Sequence, residues 1–191
     1  PDGRVDGLNW DLLNDGMGNP KNTRTMFLSH RTSPVMTLGV RASAEVAVTA
    51  GFVHIQFLEP SGELAECVNA YLKNMKEVPS PFLVAHNPSK QQTGGEGCAQ
   101  CHAPGVERGA LSESARRGRE VFKTAGCVRC HPHPYFTTKE LVATGTATGL
   151  DEGKSVLVPS LAEVWRTAPY LHDGRAKTIR EAITTCNPGD I

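Results

Sequence analysis

The chain has 191 residues with 39% hydrophobic content, ordinary for a soluble globular protein and unlike a disordered one. Twenty basic and twenty acidic side chains cancel without any run of like charge, so the summed field gives no reason to expect nucleic acid or an acidic membrane as partner. No apolar stretch approaches the roughly 20 residues that span a bilayer, and the polar residues after Pro1 do not read as a signal peptide.

In chain order, the first marked segment is RTSPVMTLG, Arg31 to Gly39, followed by Arg41-Ala42 and then a predicted helix. Farther on, Leu64, Cys67, Val68, Tyr71, Leu72 and Met75 recur at helical spacing and fall on one face, with Ser61 as cap and Pro79 as terminator. Cys67, on that face, reads as a small packed hydrophobe. After a Gly- and Gln-rich stretch around Cys98, Cys101 and His102, Ser112 opens a helix carrying Val121 and Phe122, closed by Gly126 just before Cys127. The Gly- and Thr-rich segment from Leu141 to Val158 reads as a loop around a cofactor. Ser160 with Glu163 and Thr178 with Glu181 each make a Ser/Thr-x-x-Glu capping box, predicting helices with Leu161, Val164 and Trp165 and with Ile179, Ala182 and Ile183.

The cysteines carry the chemistry. Four of six occur as Cys98/Cys101 and Cys127/Cys130, and each pair is followed at once by a histidine, His102 and His131. In Cys-x-x-Cys-His both thiols lie one helical turn apart and can add to the two vinyl groups of one porphyrin, while the histidine supplies the proximal bond to iron. Two covalent haems c are therefore expected. A four-cysteine zinc site from the same two pairs is the alternative, and it leaves both histidines unused. Covalent haem attachment takes place outside the bacterial cytoplasm, which predicts a periplasmic or otherwise extracytoplasmic protein.

The chain also repeats itself. RTSPVMTLG matches RTAPYLHDG, Arg166 to Gly174, with Arg, Thr, Pro and Gly coincident, and each copy is soon followed by an Arg-Ala pair, Arg41-Ala42 and Arg175-Ala176, and then by a helix. In the second copy a haem motif lies shortly upstream. A further Cys-x-x-Cys-His is accordingly expected just upstream of Pro1, which would bring the haems to three.

The second half, GREVFKTAGCVRCHPHPYFTT and VPSLAEVWRTAPYLHDGRAKTIREAI, resembles the C-terminal haem domain of the di-haem cytochrome c peroxidase and MauG family. The first half, DGLNWDLLNDGMGNPKNTRTMFLSHRTSPVMTLGVRASAE, resembles the N-terminal haem domain of a planctomycete-type subgroup, often fused to a β-propeller. The resemblance implies a mainly α fold of two cytochrome c-like haem domains with long loops and little strand. Residues 1–84 would be the remainder of the first domain, 85–110 an insert with an extra motif, and 111–191 the second domain. It also allows calcium as a second cofactor. The family's relay haem takes its sixth ligand about fourteen residues beyond the His of His172-Asp173-Gly174, a position held here by Cys186. A thiolate there would lower the iron's potential; packed on the stripe of Ile179, Ala182 and Ile183, the same residue would be a small hydrophobe.

Tyr170 and Arg175 are candidates to hydrogen-bond haem propionates, with surface turn chemistry as the alternative. His172 would belong to the haem surroundings. His133 lies too close to His131 to cross to the opposite haem face. His86, His54 and, more weakly, His30 are candidates for the sixth position on the inserted haem. No methionine follows Met75, so a methionine ligand for the second haem would come from the first half, such as Met36. Trp10 and Trp165 lie between haems or in the core. The implied function is multihaem electron transfer of a peroxidase-like oxidoreductase, with a small redox protein or a larger redox complex as donor or acceptor and hydrogen peroxide as an oxidant. A non-catalytic electron-transfer subunit, and sulfur-compound oxidation on a His/Cys haem, are the alternatives.

Overall fold

The described residues form short helices joined by long connections, with two minimal hairpins. The structure, a computed structural model, describes residues 3–11, 17–78, 80 and 111–184. The motif Cys98, Cys101 and His102, together with Pro79, His86 and Cys186, lies outside the described residues. Two compact units result, one drawing on Pro1–Met75 and His131–Ile191, the other on Lys76–Cys130.

In the first unit, α1 (Ala44–His54) starts where the Ser43 hydroxyl accepts the Val46 N–H, and α2 (Gly62–Lys73) where the Ser61 hydroxyl accepts the Leu64 N–H. Each cap satisfies an amide that the helix itself leaves without a partner. The two helices pack on each other and on a 3-10 turn, Ser29–Arg31. The second unit contains α3 (Glu113–Thr124), capped by Ser112 onto Ala115 as its sequence predicts. Back in the first unit, α4 (Ile179–Thr184) begins with the Thr178 hydroxyl accepting the Glu181 N–H, while the Glu181 carboxylate accepts the Lys177 N–H. That is a capping box displaced by one amide.

The other predicted capping box fails. Glu163 adopts a left-handed φ of 55° and its side chain, buried, pairs with Arg4; only a 3-10 turn, Val164–Arg166, follows. A left-handed residue at the start of a turn interrupts any α-helical run. The apolar face expected for α2 is also mostly uncovered. Leu72 is buried, but Leu64 and Tyr71 are 40% and 56% exposed and Cys67 is exposed as well, so Cys67 is not the packed hydrophobe its place on that face predicts.

The repeat is structural as well as sequential. The turn Ser29–Arg31 corresponds to Val164–Arg166, cis Ser33-Pro34 to cis Ala168-Pro169, and α1 to α4, all at the offset relating Arg31 to Arg166. Left-handed Leu28, Met36 and Gly39 match left-handed Glu163, Leu171 and Gly174. The bridge between Val35 and Arg41 matches that between Tyr170 and Ala176. Arg41 is thus equivalent to Ala176, so the two Arg-Ala pairs are one residue out of register.

Each copy contributes an antiparallel hairpin, β1 (Asn9–Trp10) with β2 (Lys21–Asn22) and β3 (Leu141–Val142) with β4 (Val156–Leu157), and the register is equivalent in both. The Asn22 N–H donates to the His172 carbonyl at 2.7 Å, and its counterpart, the Leu157 N–H, donates to the Thr37 carbonyl at 2.8 Å. Each hairpin therefore grips the turn of the other copy, the pattern of an approximate two-fold axis. Among the described residues the buried apolar ones are Phe27, Ala44, Leu72, Ala147, Leu157, Val158 and Ala176. Buried polar groups lock the copies further. Arg4 pairs with Glu163 beneath the Phe27 ring, Lys21 holds Asp151 at 2.9 Å, and the Asn22 amide donates to the Pro169 carbonyl at 2.6 Å.

Candidate functional site

The two described cysteines of a haem motif sit on a single turn. After α3, Gly126 takes a left-handed φ of 78° and redirects the chain into the 3-10 turn Cys127–Arg129, where the Cys130 N–H donates to the Cys127 carbonyl at 3.3 Å. Glycine is favoured there because L side chains strongly disfavour that φ. Both thiols are free and half-buried. They are three residues apart on one turn, as two-point attachment of a porphyrin edge requires.

His131, half-buried, begins the second stretch of the first unit. Its Nδ1 lies 2.9 Å from the Phe136 carbonyl oxygen. A carbonyl can only accept, so Nδ1 carries the proton and Nε2 is left with its lone pair. Such an arrangement orients a metal-ligating imidazole and raises its basicity. The carbonyl is aimed by a left-handed Phe136, with φ 52°, and also accepts the Leu161 N–H. His133, exposed, lies edge-on to the Phe136 ring at 5.7 Å.

The other candidates have defined surroundings. The Tyr170 hydroxyl donates to the Val164 carbonyl at 2.8 Å, and burial raises its pKa. Arg175 donates to the Asp173 carboxylate at 2.7 Å and to the Thr146 carbonyl at 2.9 Å. Burial would raise the Asp173 carboxyl, but hydrogen bonds from Arg175 and Thr148 hold it below the usual range. His172 is buried and its Nε2 accepts the Thr148 N–H. His30 is enclosed between α1 and α2, its Nε2 3.1 Å from Asn69 Oδ1 and 3.6 Å from Glu45 Oε1. His54 lines a groove of about 430 Å³ along α1, together with Arg41, Glu45, Val46 and Val53. Met36 is 42% exposed, and its carbonyl accepts from Arg24, whose pKa burial lowers to about 10. Trp10 is 52% exposed with its indole N–H on Asp6, and Trp165 lies against the Arg166 guanidinium.

Among the described residues no three His, Cys, Asp or Glu side chains form a group that could hold a metal ion. A four-cysteine zinc site would need Cys98 and Cys101, outside those residues. Sequence reasoning overlooked Asp151 and Asn22 and took Glu163 for a helix cap, whereas all three fasten one repeat copy to the other. The partners that do so are remote in sequence, and no local pattern marks the pairings.

No protein-family model matches the chain. It is 30% identical over 95 residues to cytochrome c551 peroxidase of Nitrosomonas europaea, an alignment covering 41% of this chain and 28% of that protein. It is 22% identical to hydrazine synthase subunit gamma of Kuenenia stuttgartiensis, over an alignment of 244 residues covering 99% of this chain and 63% of the relative. Its homologues therefore include both proteins, of whose lengths it spans 28% and 63%. Among solved structures, that of Kuenenia stuttgartiensis hydrazine synthase pressurised with 20 bar xenon matches with a TM-score of 0.73 at 20% identity, covering 97% of this chain and 69% of that one. This likeness establishes the fold.

Proposed function

We propose that the chain is a haem c-bearing part of a multihaem cytochrome that relays electrons within a larger redox assembly outside the bacterial cytoplasm. The observation that carries this reading is His131, which directly follows Cys127 and Cys130 and whose Nδ1–H is spent on the Phe136 carbonyl, leaving Nε2 to a metal. Residues and cofactor fit: the cysteines offer two thioether points on one turn, and the imidazole is in the tautomer a proximal ligand needs. When bound, haem c supplies a one-electron iron couple whose potential follows its axial ligands, burial and hydrogen bonds. The second motif, Cys98, Cys101 and His102, is assigned a haem on its sequence, as is a motif upstream of Pro1. Two cytochrome c-like domains, 1–84 and 111–191 with the insert 85–110 between them, are the corresponding division.

Exposed apolar side chains support the reading. Leu8, Trp10, Met26, Met36 and Val40 are between 42% and 60% exposed, while few of the described apolar residues are buried. Such surface is what a macrocycle or a docked subunit covers. Among the described residues no helix is long and apolar enough to cross a membrane. Likeness to a hydrazine synthase subunit supports membership of a larger complex, and a small redox protein as electron donor remains compatible with that.

Peroxide reduction is the second reading, favoured by the likeness to cytochrome c551 peroxidase. It requires one iron with an open face beside an acid/base group. Fully low-spin spectra and no reaction with peroxide identify a relay; a high-spin signal and turnover identify a peroxidase. Sulfur-compound oxidation depends on Cys186 as an iron ligand, and a Cys186→Ala variant with an unchanged oxidised spectrum removes it.

A further inference from the structure

We propose that the exposed face of α3 and the turn that follows it form a docking surface for a small acidic redox protein; this rests on the haem reading above. The chain as a whole carries equal numbers of basic and acidic side chains, but they are not evenly spread. Between Glu113 and Arg129 stand Arg116, Arg117, Arg119, Lys123 and Arg129, all exposed, against two carboxylates, Glu113 and Glu120. Five against two leaves an excess of three positive charges on this short stretch. Arg117 pairs with Glu113 at 2.8 Å, and Glu120 is shared by Lys123 at 3.3 Å and Arg119 at 3.6 Å. These side chains are between 52% and 80% exposed, so the pairs are weak surface pairs and do not cancel the local field. Ala115 and Phe122, half-buried, mark the inner side of the helix, and the charged residues lie round the rest of it.

Two apolar side chains interrupt the positive surface. Val121 on α3 is 62% exposed, and Val128 on the turn is 39% exposed. A few apolar contacts inside a charged rim make up a weak, rapidly exchanging interface, in which charge steers the approach and apolar contact fixes the fit. A helix that only had to stay soluble could carry both signs in equal number and would need no excess of one. Val128 and Arg129 are the two residues between Cys127 and Cys130, so a molecule resting here rests on the haem-attachment turn. All of these residues lie in the second unit, Lys76–Cys130. The place of the surface selects a redox protein, and the positive excess selects an acidic one.

The test uses the haem-loaded full chain, with flavodoxin, a small flavoprotein of strongly negative net charge, as the probe. Dissociation constants are read from the anisotropy of labelled flavodoxin at about 10 mM and about 150 mM salt, where charge is felt over roughly 30 Å and roughly 8 Å. The native chain should bind at the lower salt and lose on the order of tenfold in affinity at the higher. Arg116→Glu/Arg119→Glu should lose on the order of tenfold at the lower salt, and Arg116→Gln/Arg119→Gln should lose less. Lys177→Glu/Arg180→Glu makes the same change in net charge on exposed residues of the first unit and should bind like the native chain. Haemochrome count and far-UV circular dichroism check each variant, and if the glutamate pair on α3 loses helix, the glutamine pair carries the comparison. No complex at the lower salt, equal losses in the two glutamate variants, or binding to phosphatidylglycerol vesicles in place of flavodoxin would overturn the proposal. Loss of the haem reading itself shows earlier and separately, as native protein without a haemochrome spectrum.

Discussion

Asp151 shows how much one buried charge contributes to joining the copies. Its side chain is fully buried, and burial alone would raise its pKa, but Lys154 and Lys21 outweigh that and hold it at about 2. Asp151→Asn leaves two lysines around a neutral amide, and by the usual cost of breaking a buried pair it should destabilise the unit by about 3 kcal/mol in urea unfolding. The pH dependence has a definite sign. Because the folded pKa lies below the ordinary carboxylate value of about 4, the stabilisation is complete above that value and is lost as pH falls towards 2. Asp151→Asn should flatten that part of the stability profile, and an unchanged acid limb would refute this account of Asp151. Nothing in the sequence marks Asp151, since Lys21 lies far along the chain. Cys127, Cys130 and His131, by contrast, are legible because attachment chemistry fixes their spacing.

Local pattern predicts helix starts well where the cap has no distant competitor. Ser61, Ser112 and Thr178 each accept the amide three residues on. Ser160 sits in the same pattern, but Glu163 is drawn to Arg4 from the other copy, and a tertiary contact overrides the local signal. Ser61→Ala should cost about 1 kcal/mol in thermal or urea unfolding, the typical worth of such a cap. The paired turns offer a sharper comparison. Gly39 and Gly174 are equivalent, with φ 64° and 68°, yet a Cβ at Gly39 would meet Leu141 at 3.5 Å whereas one at Gly174 would meet Asn9 Oδ1 at 2.8 Å. Gly39→Ala should therefore cost about 1–2 kcal/mol, the left-handed penalty alone. Gly174→Ala should cost clearly more; equal unfolding midpoints would contradict the interlocked arrangement of hairpin and turn.

Across the whole molecule, the repeat could be read from the sequence while the exchange of hairpins between copies could not. Identical residues at a constant offset reveal a duplicated turn, but the hydrogen bonds from Asn22 to His172 and from Leu157 to Thr37 are backbone contacts, blind to side-chain identity. Among the described residues, the few buried apolar side chains and the exposed Leu8, Trp10, Met26 and Met36 fit a fold completed by cofactor rather than by side chains alone. Covalent haem is the claim on which the functional account stands. The most direct measurement is the intact mass of the purified chain together with its pyridine haemochrome spectrum, alongside the Cys127→Ala/Cys130→Ala variant. The account predicts two thioether-linked haems in the native chain and one in the variant; a colourless protein, or one carrying stoichiometric zinc, would contradict it.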